Sequence, residues 1–282
     1  FQDDEKKNRS TDLAREVVGT IEHARGMIDH RIHARCEVTM EKSVEATKET
    51  VRTGAIDLVS LMCHIPGKGQ FNDIADFKKW FLDYNDYTEE VVQEIIDERT
   101  RVDEDEVNRR IDEMVKTANE EGIAVASHDD ETTVEVEELH ERGVGISEYP
   151  VTLEAAEKAR ELGMWTAMGA PNLVRGGSQW GNLSTAEAIA NDSVDILCSD
   201  YHPQSLLVAP FVETRESVPE RVKRVTKAPA DAVGLDDRGR IEEGARADII
   251  VVEEETPRVR EAVVAGEHVY KAHQRREGKN DE

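Results

Sequence analysis

Short apolar runs alternate with longer charged segments of helical period through most of the chain. HRIHARCEV (residues 30–38), AIDLVSLMC (55–63), GIAVASH (122–128), GVGISEYPV (143–151), MWTAMGAP (164–171) and VDILCSD (194–200) read as strands. Helical segments lie between them, the longest predicted over residues 88–121, followed by 153–162 and 185–191. Strands that alternate with helices predict right-handed βαβ units and a parallel sheet. Several runs end on a residue suited to chemistry: Glu37, His64, His128, Glu148, Asn172 and Asp200. Function at the carboxyl ends of parallel strands is common to barrels and open sheets. The absence of a nucleotide-binding glycine fingerprint favours a barrel.

Beyond residue 236 the pattern changes. DRGRIEEGARADIIVVEEETPRVREAVVAGEHVYKA (237–272) alternates apolar and polar residues and breaks at Gly239, Gly244 and Gly266. It reads as three antiparallel strands of a small β domain, set apart from the last barrel strand by a helix over residues 219–233. The expected division is therefore a metal-dependent hydrolase barrel over 1–236 and a small antiparallel β domain with a frayed tail over 237–282. The first twelve residues and the last ten are charged and lack periodicity, so both ends are expected to fray.

Charge narrows the classes of partner. The chain of 282 residues carries 61 acidic against 36 basic side chains, a net charge of −25. A nucleic-acid binder needs a basic footprint, and this chain has none. No run approaches the roughly 20 apolar residues of a membrane-spanning helix, and no signal peptide is evident. The acidic side chains are spread along the sequence, and arginines outnumber lysines 23 to 13. Such a surface suits a protein that works in molar salt, where screening removes self-repulsion. Three cysteines without metal-ribbon spacing fit a reducing, cytoplasmic compartment.

The strand ends supply the candidate chemistry. In ASHDD an apolar strand delivers His128, with Asp129 and Asp130 directly behind it. A neutral imidazole there suits a transition metal, and a nearby carboxylate can fix its tautomer. VDILCSDYHP projects Asp200 after an apolar strand, where a carboxylate needs a cation or a donor. LMCHIPGKGQ places His64 ahead of a Pro-Gly-Lys-Gly turn whose amides and Lys68 could receive a phosphate. Period two puts His33, Arg35 and Glu37 on one face of the first strand. Arg35 among histidines, and Arg175 in the glycine-rich APNLVRGGSQWGN loop with Asn172, suit an anionic substrate. Together these features point to a metal-dependent hydrolase of a phosphorylated small molecule. His64, His128 and Glu37 would hold the metal, and Asp200 would be the base for its water.

The strings HRIHARCE, LVSLMCHIPGKGQF, ASHDD, MGAPNLVRGGS, DILCSDYHPQSLL and DRGRIEEGARADIIVV resemble the phosphonate-metabolism branch of the amidohydrolase superfamily. They run from about Glu22 to Val252. The resemblance implies a distorted (β/α)8 barrel with a small β domain and a divalent transition metal (zinc, manganese or iron). It implies hydrolysis of a phosphonate-bearing ribose 5-triphosphate to the 5-phosphate with release of pyrophosphate. It makes His64 and His128 metal ligands, Glu37 a bridging carboxylate, and Asp200 a ligand or base. Arg35, Lys68 and Arg175 would then face the substrate.

Two departures stand out. Cys63 precedes His64 where the family usually has Asp. No first-strand metal motif precedes Glu22, so about two barrel strands and part of the β domain are expected to be missing. Such a barrel exposes two sheet edges that a second protomer could cover. The alternatives are an incomplete, phosphate-binding remnant, or another amidohydrolase such as a cyclic amidase or deaminase.

Overall fold

The computed structural model describes residues 10–67, 69, 73–84, 87–178 and 181–272. All six predicted barrel strands form: β1 (His33–Glu37), β2 (Leu58–Met62), β3 (Ala124–His128), β4 (Ile146–Glu148), β5 (Trp165–Gly169) and β6 (Ile196–Cys198). They pair in parallel in the order of the sequence, β1-β2-β3-β4-β5-β6. A doubly wound sheet reverses its strand order at a switch point, whereas a barrel wall runs on in sequence. Among the described residues β1 and β6 each have a strand neighbour on one side only.

Helices connect the strands. α1 (Thr11–His23) precedes β1, and α2 (Glu41–Val51) follows it. α3 (Ile74–Tyr84), α4 (Glu89–Thr100) and α5 (Glu104–Glu120) lie between β2 and β3. α6 (Thr133–Arg142), α7 (Leu153–Glu161), α8 (Ala170–Arg175) and α9 (Thr185–Ala190) join the next strands. After β6 come α10 (Gln204–Val208), a 3-10 turn at Ala209–Phe211, α11 (Val218–Lys223) and α12 (Lys227–Ala232). Residues 11 and 12 belong to α1, which Ser10 caps by accepting from the Leu13 amide, so this part of the N-terminal segment is ordered. Residues 1–9 and 273–282 lie outside the described residues.

Two predicted helices are each divided. The segment 88–121 breaks after Thr100, where the Asp103 side chain accepts from the Asp105 amide and starts α5 afresh. The division lets α4 bury Val92, Ile95 and Ile96 against Phe77 and Phe81, while α5 packs on the sheet through Met114 and Val115. The segment 219–233 breaks at Arg224. Its carbonyl accepts from the Leu197 amide beside β6, and its buried guanidinium pairs with Glu216.

Register decides the two faces of the sheet. Arg35 lies opposite Ser60, Ser60 opposite Ala126, and Ala126 opposite Ile146. His128 lies opposite Glu148, and Ala167 opposite both Glu148 and Ile196. On this face Ala126, Ile146, Ala167 and Ile196 form an apolar layer covered by Ala228 and Ala232 of α12. The polar strand ends stand above that layer. The alternate residues Ala34, Cys36, Val59, Leu61 and Val125 pack against the helices with Val44, Met114 and Val136.

The small sheet is antiparallel as expected: β7 (Ile249–Glu253), β8 (Arg258–Val264) and β9 (Glu267–Lys271). Gly266 lies at its second turn, but Gly239 and Gly244 precede β7 rather than separate strands. Asp29, ahead of β1, pairs with Arg246 and lies 3.9 Å from Arg238, which ties the β segment back to the start of the sheet.

Candidate active site

The ends of β1 and β2 produce a buried pair. Glu37 is fully buried, and its Oε2 accepts from His64 Nδ1 at 2.7 Å. Its Oε1 accepts from the His64 amide at 3.2 Å and from the Thr39 hydroxyl at 2.7 Å. Burial alone would raise the carboxyl pKa. His64, Arg99 and Thr39 outweigh it and bring Glu37 down to about 2. Because Nδ1 donates to Glu37, Nε2 is the ring nitrogen of His64 that carries the lone pair.

The end of β3 is more strained. Asp129 has φ 60°, in the left-handed region that a non-glycine residue adopts at a cost of about 1–2 kcal/mol. The backbone turn brings its Oδ2 to 3.1 Å from His128 Nδ1, a nitrogen that is buried and has no hydrogen-bond partner. Burial opposes ionisation of Asp129, but His128, His64 and Arg35 together hold its pKa below the ordinary value. Asp130 goes the other way. Its carboxyl accepts from Ser127 and Ser147 on the helix-facing side, where burial pushes its pKa up to about 7. Left-handed backbone recurs at Tyr149 after β4 (φ 58°) and at Asp200 after β6 (φ 47°), so three strand ends carry it.

Among the described residues, His64, His128 and Asp129 each offer one donor atom, all within 4.8 Å of one another. An orphaned, buried imidazole nitrogen facing a carboxylate, with a second imidazole alongside, fits a divalent transition metal. Glu37 stands behind His64 in this group. On the other side of His128, Nε2 accepts from Arg35 Nη2 at 2.9 Å and lies 4.0 Å from Glu148 Oε2. Glu148 is itself held by the Ser60 hydroxyl at 2.7 Å. Arg35 Nη1 reaches to 4.0 Å from Asp200 Oδ1.

Arg35, His128 and Asp200 line a cavity of about 180 Å³ together with Tyr149, Asn172 and Arg175. The Asn172 Oδ1 accepts from the Thr185 amide and so pins the start of α9 to α8. Arg175, at the end of α8, is exposed at the cavity mouth. A larger cavity of about 740 Å³ lies on the His64 side, and His128 and Asp129 line both. The predicted phosphate residue Lys68 lies outside the described residues. Sequence reasoning gave Asp129 only a supporting place behind His128, and marked Glu148 as a strand-end residue suited to chemistry without assigning it a partner. The signal for both was position: each stands at or just after a strand end.

The sequence profile of the amidohydrolase family matches residues 71–272. The chain is 39% identical over 228 residues to alpha-D-ribose 1-methylphosphonate 5-triphosphate diphosphatase of Escherichia coli (strain K12). That match takes in 79% of the chain, which spans 60% of the length of the relative. Among solved structures, N-acetylglucosamine-6-phosphate deacetylase from Pasteurella multocida superposes with a TM-score of 0.55 at 13% identity, over 93% of this chain and 73% of the other. A D-hydantoinase gives 0.54 at 14%, over 94% and 75%. At such identity these two structures speak for the barrel-type fold alone. The sequential parallel sheet and the profile over most of its length lead to one conclusion: the chain belongs to the amidohydrolase family.

Proposed function

We propose that the chain carries the metal-dependent site of a diphosphatase that cleaves a ribose 5-triphosphate bearing a phosphonate at C1, releasing pyrophosphate. The observation that carries this reading is the grouping of His64, His128 and Asp129 beside a cavity rimmed by Arg35 and Arg175. The similarity to the E. coli diphosphatase supports the substrate class. His64, His128 and Asp129 would hold the metal, with Asp200 a further carboxylate suggested by the strand-end pattern, while Glu37, expected from the sequence as a ligand, stands behind His64. A bound divalent ion lowers the pKa of water toward 7 and polarises a phosphoryl oxygen.

The protein's own groups do the rest. Glu37 fixes His64 in the tautomer whose lone pair sits on Nε2. Arg35 and Arg175 pair with phosphate oxygens through their planar guanidinium groups and orient the chain of phosphates along the cavity. Asp200, which lines the same cavity as Asn172, accepts the proton of the attacking water. A cytoplasmic, salt-adapted protein and pairing of the open sheet edges between protomers belong to the same reading, from the spread of acidic residues and the one-sided pairing of β1 and β6.

A second reading, triphosphate binding without turnover, is favoured by the size of the ligand set, which is three residues among those described. One experiment separates the two. Elemental mass spectrometry on chain purified in molar potassium chloride gives the metal content, and pyrophosphate release from a ribose or nucleoside triphosphate gives the activity. Bound transition metal with turnover that Asp200→Asn and His128→Ala abolish supports the diphosphatase. Tight triphosphate binding with no pyrophosphate release supports the second reading.

A further inference from the structure

We infer that Arg35 and the metal compete for His128, so that metal binding transfers Arg35 from the histidine to the anionic substrate. The inference rests on the metal-site reading above and concerns the regulation of that site. Arginine has donors only, so the 2.9 Å contact from Nη2 requires His128 Nε2 to be an unprotonated acceptor. The proton of the neutral ring then sits on Nδ1, the nitrogen that faces Asp129 at 3.1 Å. Coordination through either nitrogen breaks this arrangement. A metal on Nε2 takes the lone pair that Arg35 uses. A metal on Nδ1, beside Asp129, leaves the neutral ring's proton on Nε2, where it opposes the donors of Arg35. In the second case the Nε2 proton has an acceptor close by, since Glu148 Oε2 lies 4.0 Å away and is already oriented by Ser60. Both histidines would then be backed by a buried glutamate, Glu37 behind His64 and Glu148 behind His128.

The released guanidinium does not have far to go. It already lines the cavity shared with Arg175, and its side chain is 44% exposed, so it can turn toward a phosphate without unpacking the core. Metal and anion therefore bind with positive coupling: each favours the state in which Arg35 is off the histidine, and by linkage the effect is reciprocal.

The test uses Co²⁺ as the metal and inorganic pyrophosphate as the anion, on the whole chain and its Arg35→Gln and Arg35→Met variants. Cobalt binding is followed by its visible absorption, pyrophosphate binding by calorimetry with and without saturating cobalt, and folding by circular dichroism. Removing the competing cation should tighten cobalt binding roughly tenfold in both variants. Cobalt should strengthen pyrophosphate binding markedly more in the unsubstituted chain than in either variant. Equal or weaker cobalt affinity in folded variants would overturn the competition while leaving the metal site standing. An unsubstituted chain that binds no cobalt would overturn the metal-site reading and this inference with it.

Discussion

Glu37 and His64 form a buried carboxylate–imidazole pair, Oε2 to Nδ1 at 2.7 Å, that links the ends of β1 and β2. A carboxylate behind a ligating histidine fixes its tautomer and raises its basicity, and loss of such a partner typically weakens metal binding 10–100-fold. Glu37→Gln is therefore expected to weaken cobalt or zinc affinity by about that factor in chelator competition. Affinity within twofold of the unsubstituted chain would show that the pair is only structural.

The same pair sets an acid limit on stability. Glu37 has a folded pKa of about 2 against an ordinary 4.5, although burial opposes the shift. A depressed carboxyl pKa contributes stability that is complete above about pH 4.5 and is lost as the pH falls toward 2. Urea unfolding of the unsubstituted chain should steepen in its pH dependence across that window, and Glu37→Gln should flatten it. Parallel curves for the two proteins would count against the assignment.

Asp129 combines a chemical role with backbone strain, and substitutions separate the two. Asp129→Gly removes the left-handed penalty of about 1–2 kcal/mol along with the carboxylate. Asp129→Asn keeps a side chain that tolerates φ 60° but removes the charge. The glycine variant should be at least as stable as the asparagine variant to urea, and both should lose most metal affinity. Retained affinity in Asp129→Asn would remove Asp129 from the ligand set.

Cys36 and Cys63 should differ in reactivity. Burial pushes the Cys36 thiol up to about 11, whereas Cys63 is exposed beside His64. Only a thiolate reacts quickly with a disulfide reagent. Native protein should therefore show fast labelling at Cys63 and none at Cys36 until urea opens the core, read by peptide mass mapping. Equal labelling of both in native protein would contradict the packing of β1.

Met114 on α5 has no exposed surface and packs into the main core against the sheet. Met114→Ala is expected to cost about 2–5 kcal/mol in urea unfolding through lost contact and a residual cavity. A cost below 1 kcal/mol would mean that α5 does not anchor the sheet as described.

Sequence alone determined the strand pattern, the switch to antiparallel strands near the C-terminus, and the face shared by His33, Arg35 and Glu37. Those follow from local periodicity, which each segment carries within itself. It also marked His64, His128 and Asp200 as strand-end residues. Helix breaks at Asp103 and Arg224 were not legible, because a cap and a carbonyl beside β6 decide them rather than helical period. Tertiary structure alone decided which of the two aspartates after His128 turns toward the site. The left-handed turn sends Asp129 to the imidazole, while the Ser127 and Ser147 hydroxyls hold Asp130 on the opposite face. It also decided that Arg35 would meet His128, 93 residues away, because that contact depends on the register of β1 and β3 on either side of β2. Register is a property of the assembled sheet, and no single segment encodes it.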